Sequence, residues 1–423
     1  VNPLDLARVA IGLTRALRSQ YWSAERIRAW QEPRLVAMMR HAATHVRFYR
    51  EHGIDPGSIT SSADLERFPI ITKSDIQRAG RGLLADGLDA GRLPFSRTSG
   101  SSGEPTTTWF DRAAWLQTRY VLKLRRLLVN SGPRPGQRVL IVSEARPEDI
   151  AALDEAAPAG GPLYRRKLIS IHAPFEAHVE EIVRFRPTAL YAYPSYLAEL
   201  VDTARRMAQP LPPIPLVYTS SEVLTEGLRA RLEAALGGRI CDVYGSTEFK
   251  EVAWQCPRGR YHVNFESVWV EPLPTDRAAP LVISTLANRA MPLLRFRIGD
   301  EAQGAKGPCA CGRCSPGLHS IQGRQADIIT LPRGRRLSPY LLTTVIEQDP
   351  ALVQYRIVET APGEFRVELV GEPEPGGRAD DALGAALREL TDGEGRFEVV
   401  RVARLERARS GKRSVFLRER SEL

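Results

Sequence analysis

The sequence predicts an α/β fold: a large amino-terminal domain with mixed, mostly parallel sheets and a small β subdomain, then a small α+β carboxy-terminal domain. Three observations predict it. Helical and strand-like segments alternate between residues 115 and 245, as in a mostly parallel sheet. Strand-like runs without helices, HVNFESVWVEPL, APLVISTL and PLLRFRIGD, follow over 262–300 and read as antiparallel β. A loop rich in Gly, Pro and Cys, GAKGPCACGRCSPGL, then precedes a short strand-and-helix unit.

The elements follow in order. Residues 1–90 read as helical. LARVAIGLTRALRSQ, SAERIRAWQEPRLVAMMRHAATHVRFYREHG and SSADLERF space their apolar residues helically and carry Ser or Asp near their starts. A helix over AWLQTRYVLKLRRLLVNSG precedes a strand at 138–143. An apolar segment at 168–172, a helix at 176–186, the strand ALYAYP, the helix YLAELVDTARRMA, a strand at 216–220, the helix EGLRARLEAALG and a strand at 240–245 complete the alternation. After residue 323 we expect a helix at 339–349, strands at 353–359 and 364–371, a helix at 379–390 and a strand at 397–405. The domain boundary is set at 323, giving domains 1–323 and 324–423. The chain's 423 residues exceed what one compact core holds.

Composition excludes several classes. Hydrophobic residues make up 43% and charged residues 26%, as in an ordinary globular protein, and no apolar run approaches a membrane span. We expect a cytoplasmic protein with no membrane partner. The formal charge is +9, but the basic residues are dispersed without a nucleic-acid-binding motif, so no nucleic-acid partner is expected. A positive field also suits a chain that handles anionic small molecules. Arginine dominates; the lysines are Lys73, Lys123, Lys167, Lys250, Lys306 and Lys412. Where Arg is the default cation, a compact ammonium is informative.

Two groups of residues carry chemistry. Cys256, Cys309, Cys311 and Cys314 fall within one short span together with His262, whereas Cys241 lies alone in an apolar stretch. Clustered Cys and His read as a closed Cys₃His zinc site, structural rather than catalytic. The preferred set is Cys256, His262, Cys309 and Cys311, with Cys314 as a substitute for Cys311. The second group begins with TSGSSGEPTTTWFD at 98–111, whose glycines and hydroxyls can present donors to an anion. It is not a Walker loop, because no Gly-Lys-Ser/Thr follows. Polar turns at strand ends come next: YAYPS at 191–195, TSSE at 219–222 and YGSTE at 244–248. FRIGD at 296–300, GRQADII at 323–329 and RARSGKR at 407–413 complete the series.

In this order the motifs resemble those of the adenylate-forming superfamily, in its phenylacetate–CoA ligase-like branch, over nearly the whole chain. The resemblance implies a phosphate loop of Thr98, Ser99, Gly100, Ser101, Ser102, Gly103 and Thr106. It implies nucleotide contacts from Ser221, Glu222, Gly245, Ser246 and Thr247, with Tyr244 packed on adenine. It further implies Glu248 on magnesium, Asp300 on the ribose hydroxyls, Arg324 reaching the nucleotide, and Lys412 as the catalytic lysine of a carboxy-terminal lid. The hinge motif of the superfamily reads Gly-Arg-x-Asp-Asp; here Ala326 stands at the usual hinge Asp, followed by Asp327. Tyr191, Tyr193, Pro194 and Ser220 are candidates for the acid pocket, while Tyr191, Tyr193 and Tyr196 equally fit a core. The implied reaction activates a carboxylic acid, expected to be aromatic, with ATP and Mg²⁺ and passes it to coenzyme A. An amide- or ester-forming ligase of secondary metabolism with an amine acceptor is the alternative. A non-catalytic zinc-stabilised binding protein is the second. Oligomeric state is left open, with a homodimer as the candidate.

Overall fold

The structure is a computed structural model that describes residues 3–97, 106–131, 136–150, 164–324, 329–337, 339–348, 352, 354–370, 380–405 and 415–419. Packing divides the chain into two compact units: Val1–Pro133 with Val243–Ile321, and Arg134–Asp242 with Gln322–Leu423. These units are groupings by contact; the functional division at 323 is a separate proposal.

Along the chain, β1 (Phe95–Arg97) and β2 (Thr107–Trp109) form an antiparallel hairpin that sets Ser96 opposite Thr108. The strands β3 (Gln137–Ser143), β4 (Tyr164–Ser170), β5 (Ala189–Ala192) and β6 (Leu216–Ser220) pair in parallel in the order β4-β3-β5-β6. Helices Phe175–Phe185 and Pro194–Arg206 connect them, and helix Glu226–Leu236 leads to β7 (Arg239–Ser246). β6 is buried at every position, which explains why LVYTS reads as a run of mostly apolar residues without alternation. The strands that the sequence predicts here are all present.

Pairing then turns antiparallel. β8 (Lys250–Gln255) pairs with β7 and with β9 (Tyr261–Val263). β10 (Val268–Val270) pairs with β11 (Ala279–Thr285), and β11 with β12 (Phe296–Gly304). β13 (Gly317–Arg324) pairs with β9 through Gly317–His262 and Leu318–Tyr261. The last segment holds the two-stranded β14 (Ile329–Thr330) and β15 (Arg336–Leu337). It also holds helices Pro339–Ile346 and Asp380–Leu390, and a sheet in the order β18-β17-β16-β19. That sheet consists of β16 (Gln354–Ala361), β17 (Glu364–Val370), β18 (Arg396–Val402) and β19 (Phe416–Arg418).

Two helical expectations in the first 90 residues are corrected. Val46 is extended (φ −114°, ψ 117°) and bridges Ala85, which ends the long helix at Ala24–His45 and leaves Arg47–Arg50 as a single turn. SSADLERF forms a 3₁₀ turn, Ser62–Arg67. Ser61 and Asp64 make a capping box, but Pro69 follows Phe68 and leaves no room for an α-helix to extend. Among the described residues, no helix is long and apolar enough to cross a membrane.

A buried ion pair fixes the first unit. The helix after β2 runs as Arg112–Leu116, a π-helical turn Gln117–Val121, and Leu122–Ser131. From it Arg125, 2% exposed, donates to Glu266 Oε1 at 2.6 Å and to Asn264 Oδ1. Asn264 in turn donates to the Glu251 carbonyl at 2.8 Å, so one guanidinium joins the helix to β8 and to the turn before β10. Removing one partner of such a pair strands the other charge in a low dielectric, which costs about 3–5 kcal/mol. Arg125→Met should therefore lower the urea midpoint sharply, and adding Glu266→Leu should recover part of the loss. A single variant that melts with the parent contradicts this role.

Candidate active site and metal centre

The metal-type residues assemble within the first unit. One ligand atom from each of Cys256, His262, Cys309 and Cys311 lies within 4.8 Å of the others, and Cys314 stands outside this group. β8 delivers Cys256 at its end, β9 carries His262 at its centre, and the loop before β13 supplies the other two thiols. Cys256 Sγ and Cys309 Sγ are 3.8 Å apart, and Cys311 Sγ is 3.3 Å from His262 Nε2. Tetrahedral zinc, bound at about 2.3 Å to sulfur and about 2.0–2.1 Å to nitrogen, spaces its ligand atoms by about 3.5–3.8 Å. The donor set and its spacing fit that ion.

The surroundings favour the same reading. His262 Nδ1 hydrogen-bonds Ser315 Oγ at 2.9 Å, which turns Nε2 toward the thiols. Burial, with Arg313, Arg260 and Arg125 adding to it, pulls His262 down to about 3, so the imidazole is neutral and can ligate. Burial pushes the Cys256 thiol up to about 12 in the metal-free chain, although the Arg258 N–H donates to its sulfur at 3.4 Å. A thiolate there needs a cation to hold it. Arg313, from the CGRC turn, donates to Gln20 at 2.8 Å and to the Tyr21 hydroxyl at 3.1 Å. The cluster is thereby tied to the residues that follow the first helix. Ser315 and Arg313 are not distinguished by the sequence.

The YGSTE turn joins β7 to β8. The register shifts between Tyr244 and Gly245, and a Cβ on Gly245 would lie 2.2 Å from the Lys250 carbonyl oxygen, so only glycine fits. The Tyr244 hydroxyl donates to Asp300 Oδ2 at 2.5 Å. This brings an aromatic face and a carboxylate together from β7 and β12. The Ser246 hydroxyl accepts from the Glu248 and Phe249 N–H groups, both at 3.2 Å, and shapes the turn; Thr247 is half-buried. Glu248 is buried, yet among the described residues its carboxylate has no hydrogen bond or ion pair. Those lone pairs fit a hard cation such as magnesium. Lys250 sits two residues on; burial, then Arg119 and Lys123, bring its amine down to about 8.

The second unit holds the other strand-end candidates. Tyr191 and Ser220 share a hydrogen bond of 2.6 Å between their hydroxyls. The Tyr193 hydroxyl donates to Glu144 at 2.7 Å, and burial with that carboxylate raises its pKa far above the usual phenol range. Pro194 is the first residue of its helix, and Tyr196 is fully buried against Phe175 and His178. Tyr196 is thus a core residue. Ser221 adopts φ +69°, unusual for a residue with a side chain. Glu222 accepts from the Ser195 N–H and hydroxyl, both at 2.9 Å, and so caps the helix Pro194–Arg206.

Other expected site residues lie partly or wholly outside the described residues. Thr98, Ser99, Gly100, Ser101, Ser102, Gly103, Ala326, Asp327 and Lys412 are all outside them. Thr106 is described and buried; Arg324 closes β13 by its backbone, and its side chain is outside the description.

No family model matches the chain. A phenylacetate–coenzyme A ligase of Thermus thermophilus is 28% identical over 377 residues, 82% of each chain. One of Aromatoleum evansii is 26% identical over 369 residues, 80% of this chain and 79% of the relative. Among solved structures, a 2-hydroxyisobutyryl-CoA ligase in complex with R3-HIB-AMP aligns with a TM-score of 0.79 at 20% identity, over 95% of this chain and 92% of the other. A benzoate CoA ligase from Burkholderia xenovorans aligns at 0.51 and 17% identity, over 78% and 68%. Over most of its length the chain is similar to these ligases in sequence, and it shares the fold of the solved acid–CoA ligase. The curated relatives it matches are phenylacetate–CoA ligases, and the class they define is that of AMP-forming acid–CoA ligases.

Protein purified without added metal should carry one zinc per chain by elemental analysis. Cys256→Ser should lower the melting temperature while the folded fraction keeps its ATP affinity. Metal-free protein that melts with the parent contradicts the site.

Proposed function

We propose that this chain activates an aromatic carboxylic acid with ATP and transfers the acyl group to coenzyme A. An oxygen of the acid's carboxylate attacks the α-phosphorus of ATP, the bond to the β-phosphate breaks, and pyrophosphate leaves. The coenzyme A thiol then attacks the acyl carbon, the bond to AMP breaks, and the thioester forms. Two anions must be held together in the first step, so donors and positive charge have to be in place beforehand.

The observation that carries this reading is the Tyr244–Asp300 hydrogen bond, which sets a face for a flat base beside a carboxylate for a diol. We also assign Thr98 to Gly103 and Thr106 to the phosphates, and Ser221, Glu222, Ser246, Thr247 and Arg324 to further nucleotide contacts. Glu248 would hold magnesium, which neutralises phosphate charge when bound. The acid pocket is assigned to Tyr191, Tyr193, Pro194 and Ser220, where the paired hydroxyls of Tyr191 and Ser220 give a polar wall. Zinc on Cys256, His262, Cys309 and Cys311 is structural: its closed ligand set offers no coordination position for substrate. Residues 324–423 form the lid that brings Lys412 to the α-phosphate.

Acid-dependent exchange of pyrophosphate into ATP, measured over benzoic, phenylacetic, anthranilic and fatty acids, tests this function. Exchange should be strongest with an aromatic acid, and coenzyme A should then yield thioester and AMP. Lys412→Ala should slow adenylation by about 10²–10³-fold, the usual effect of losing one preorganised donor. The same variant, given preformed acyl-adenylate, should make thioester at near-parental rate. An equal fall in both half-reactions contradicts the role of Lys412, and absence of exchange with every acid contradicts the function.

A further inference from the structure

The β1–β2 hairpin and the YGSTE turn are joined by one side chain. Lys250, the first residue of β8, donates from Nζ to Ser96 Oγ at the centre of β1. The same ammonium stands 5.3 Å from the Trp115 ring centroid and 5.6 Å from that of Phe110. Among the described residues it forms no ion pair with a carboxylate. One amine therefore contacts the hairpin, the segment after it, and the helix beyond, while its own backbone lies two residues from Glu248. A π-helical turn begins two residues after Trp115, a local distortion frequent at functional sites.

The backbone at Lys250 argues that its side chain matters. Its φ is +63°, in the left-handed region, where a Cβ brings strain that glycine does not. The turn would close as readily with glycine or asparagine. Lysine at this position offsets the strain only if its ammonium is used. An arginine-rich chain with six lysines uses the compact cation here, where a guanidinium would have to fit between two rings and a serine.

We infer that Lys250 is a positioning residue for ATP: it holds the β1–β2 hairpin in register with the turn that carries Glu248. Phosphate donors and the metal-binding carboxylate must meet the same triphosphate, and they come from parts of the chain about 150 residues apart by this numbering. The Lys250–Ser96 hydrogen bond fixes that relation before nucleotide binds. This role rests on the proposed adenylation function.

Steady-state kinetics of the wild type, Lys250→Met, Lys250→Arg, Ser96→Ala and the Lys250→Met/Ser96→Ala double variant test it. Methionine keeps the packing against Phe110 and Trp115 and removes the donor. KM for ATP should rise about tenfold or more in Lys250→Met, as expected for a lost hydrogen bond from a charged group. KM for the acid should stay within about twofold, and arginine should restore ATP binding only in part. Ser96→Ala should raise KM for ATP as well, and the double variant should be no worse than Lys250→Met alone, because both remove one interaction. Additive effects, equal rises in KM for both substrates, or a parental KM for ATP in Lys250→Met overturn the inference while leaving the adenylation function standing. A wild type without acid-dependent pyrophosphate exchange overturns both. If Lys250→Met fails to fold, Ser96→Ala alone decides: an unchanged KM for ATP rejects the role, and a selective rise supports it.

Discussion

The close approach of the Gly245 backbone to the Lys250 carbonyl is the constraint on which the site depends. No side chain fits between them, so β7 and β8 can pair through an irregular register and still reverse direction within a few residues. The irregularity determines which side chains point where. Tyr244 reaches Asp300 on β12, Ser246 closes the turn over Glu248 and Phe249, and Lys250 turns back to Ser96. A methyl group at 245 would push the two backbones apart and would disturb all of these at once.

The same strands then serve stability. β8 ends at the residue before Cys256, and its partner β9 carries His262. A metal on Cys256, His262, Cys309 and Cys311 would close the far end of the β8–β9 hairpin against the loop before β13, where the Gly317–His262 pairing already begins a ladder. The YGSTE turn at one end of β8 and the metal-type cluster at the other are thus linked by six residues of strand. Arg125, Glu266 and Asn264 support this strand from the helix side, through the Glu251 carbonyl.

Much of this was legible in the sequence, for identifiable reasons. Strand and helix order was readable because β3, β5 and β6 are short, mostly apolar runs and the helices between strands are amphipathic. The Cys and His cluster was readable because few residue types bind zinc and their local spacing is restricted; the fold brings Cys256, His262, Cys309 and Cys311 together. Three-dimensional relations were not readable. Tyr244 and Asp300 are far apart in sequence, and nothing local pairs them. Tyr196 lies on the buried face of its helix, a fact that proximity to Tyr191 and Tyr193 conceals. The contact of Glu222 with Ser195, in the first turn of a helix that starts 28 residues earlier, is likewise not local in sequence. Lys250 gave only a faint signal, its rarity, because neither its positive φ nor its partner is local in sequence.

Adenylation is the central claim, and the path of one oxygen atom tests it. An acid labelled with ¹⁸O in both carboxylate positions, turned over with ATP and coenzyme A, should pass one labelled oxygen to AMP, because a carboxylate oxygen bonds to the α-phosphorus and the bond that later breaks is the one between that oxygen and the acyl carbon. Mass spectrometry of the released nucleotide should find AMP heavier by the mass of that label. Unlabelled AMP, or label appearing in inorganic phosphate beside ADP, would contradict an acyl-adenylate and with it the account of the site.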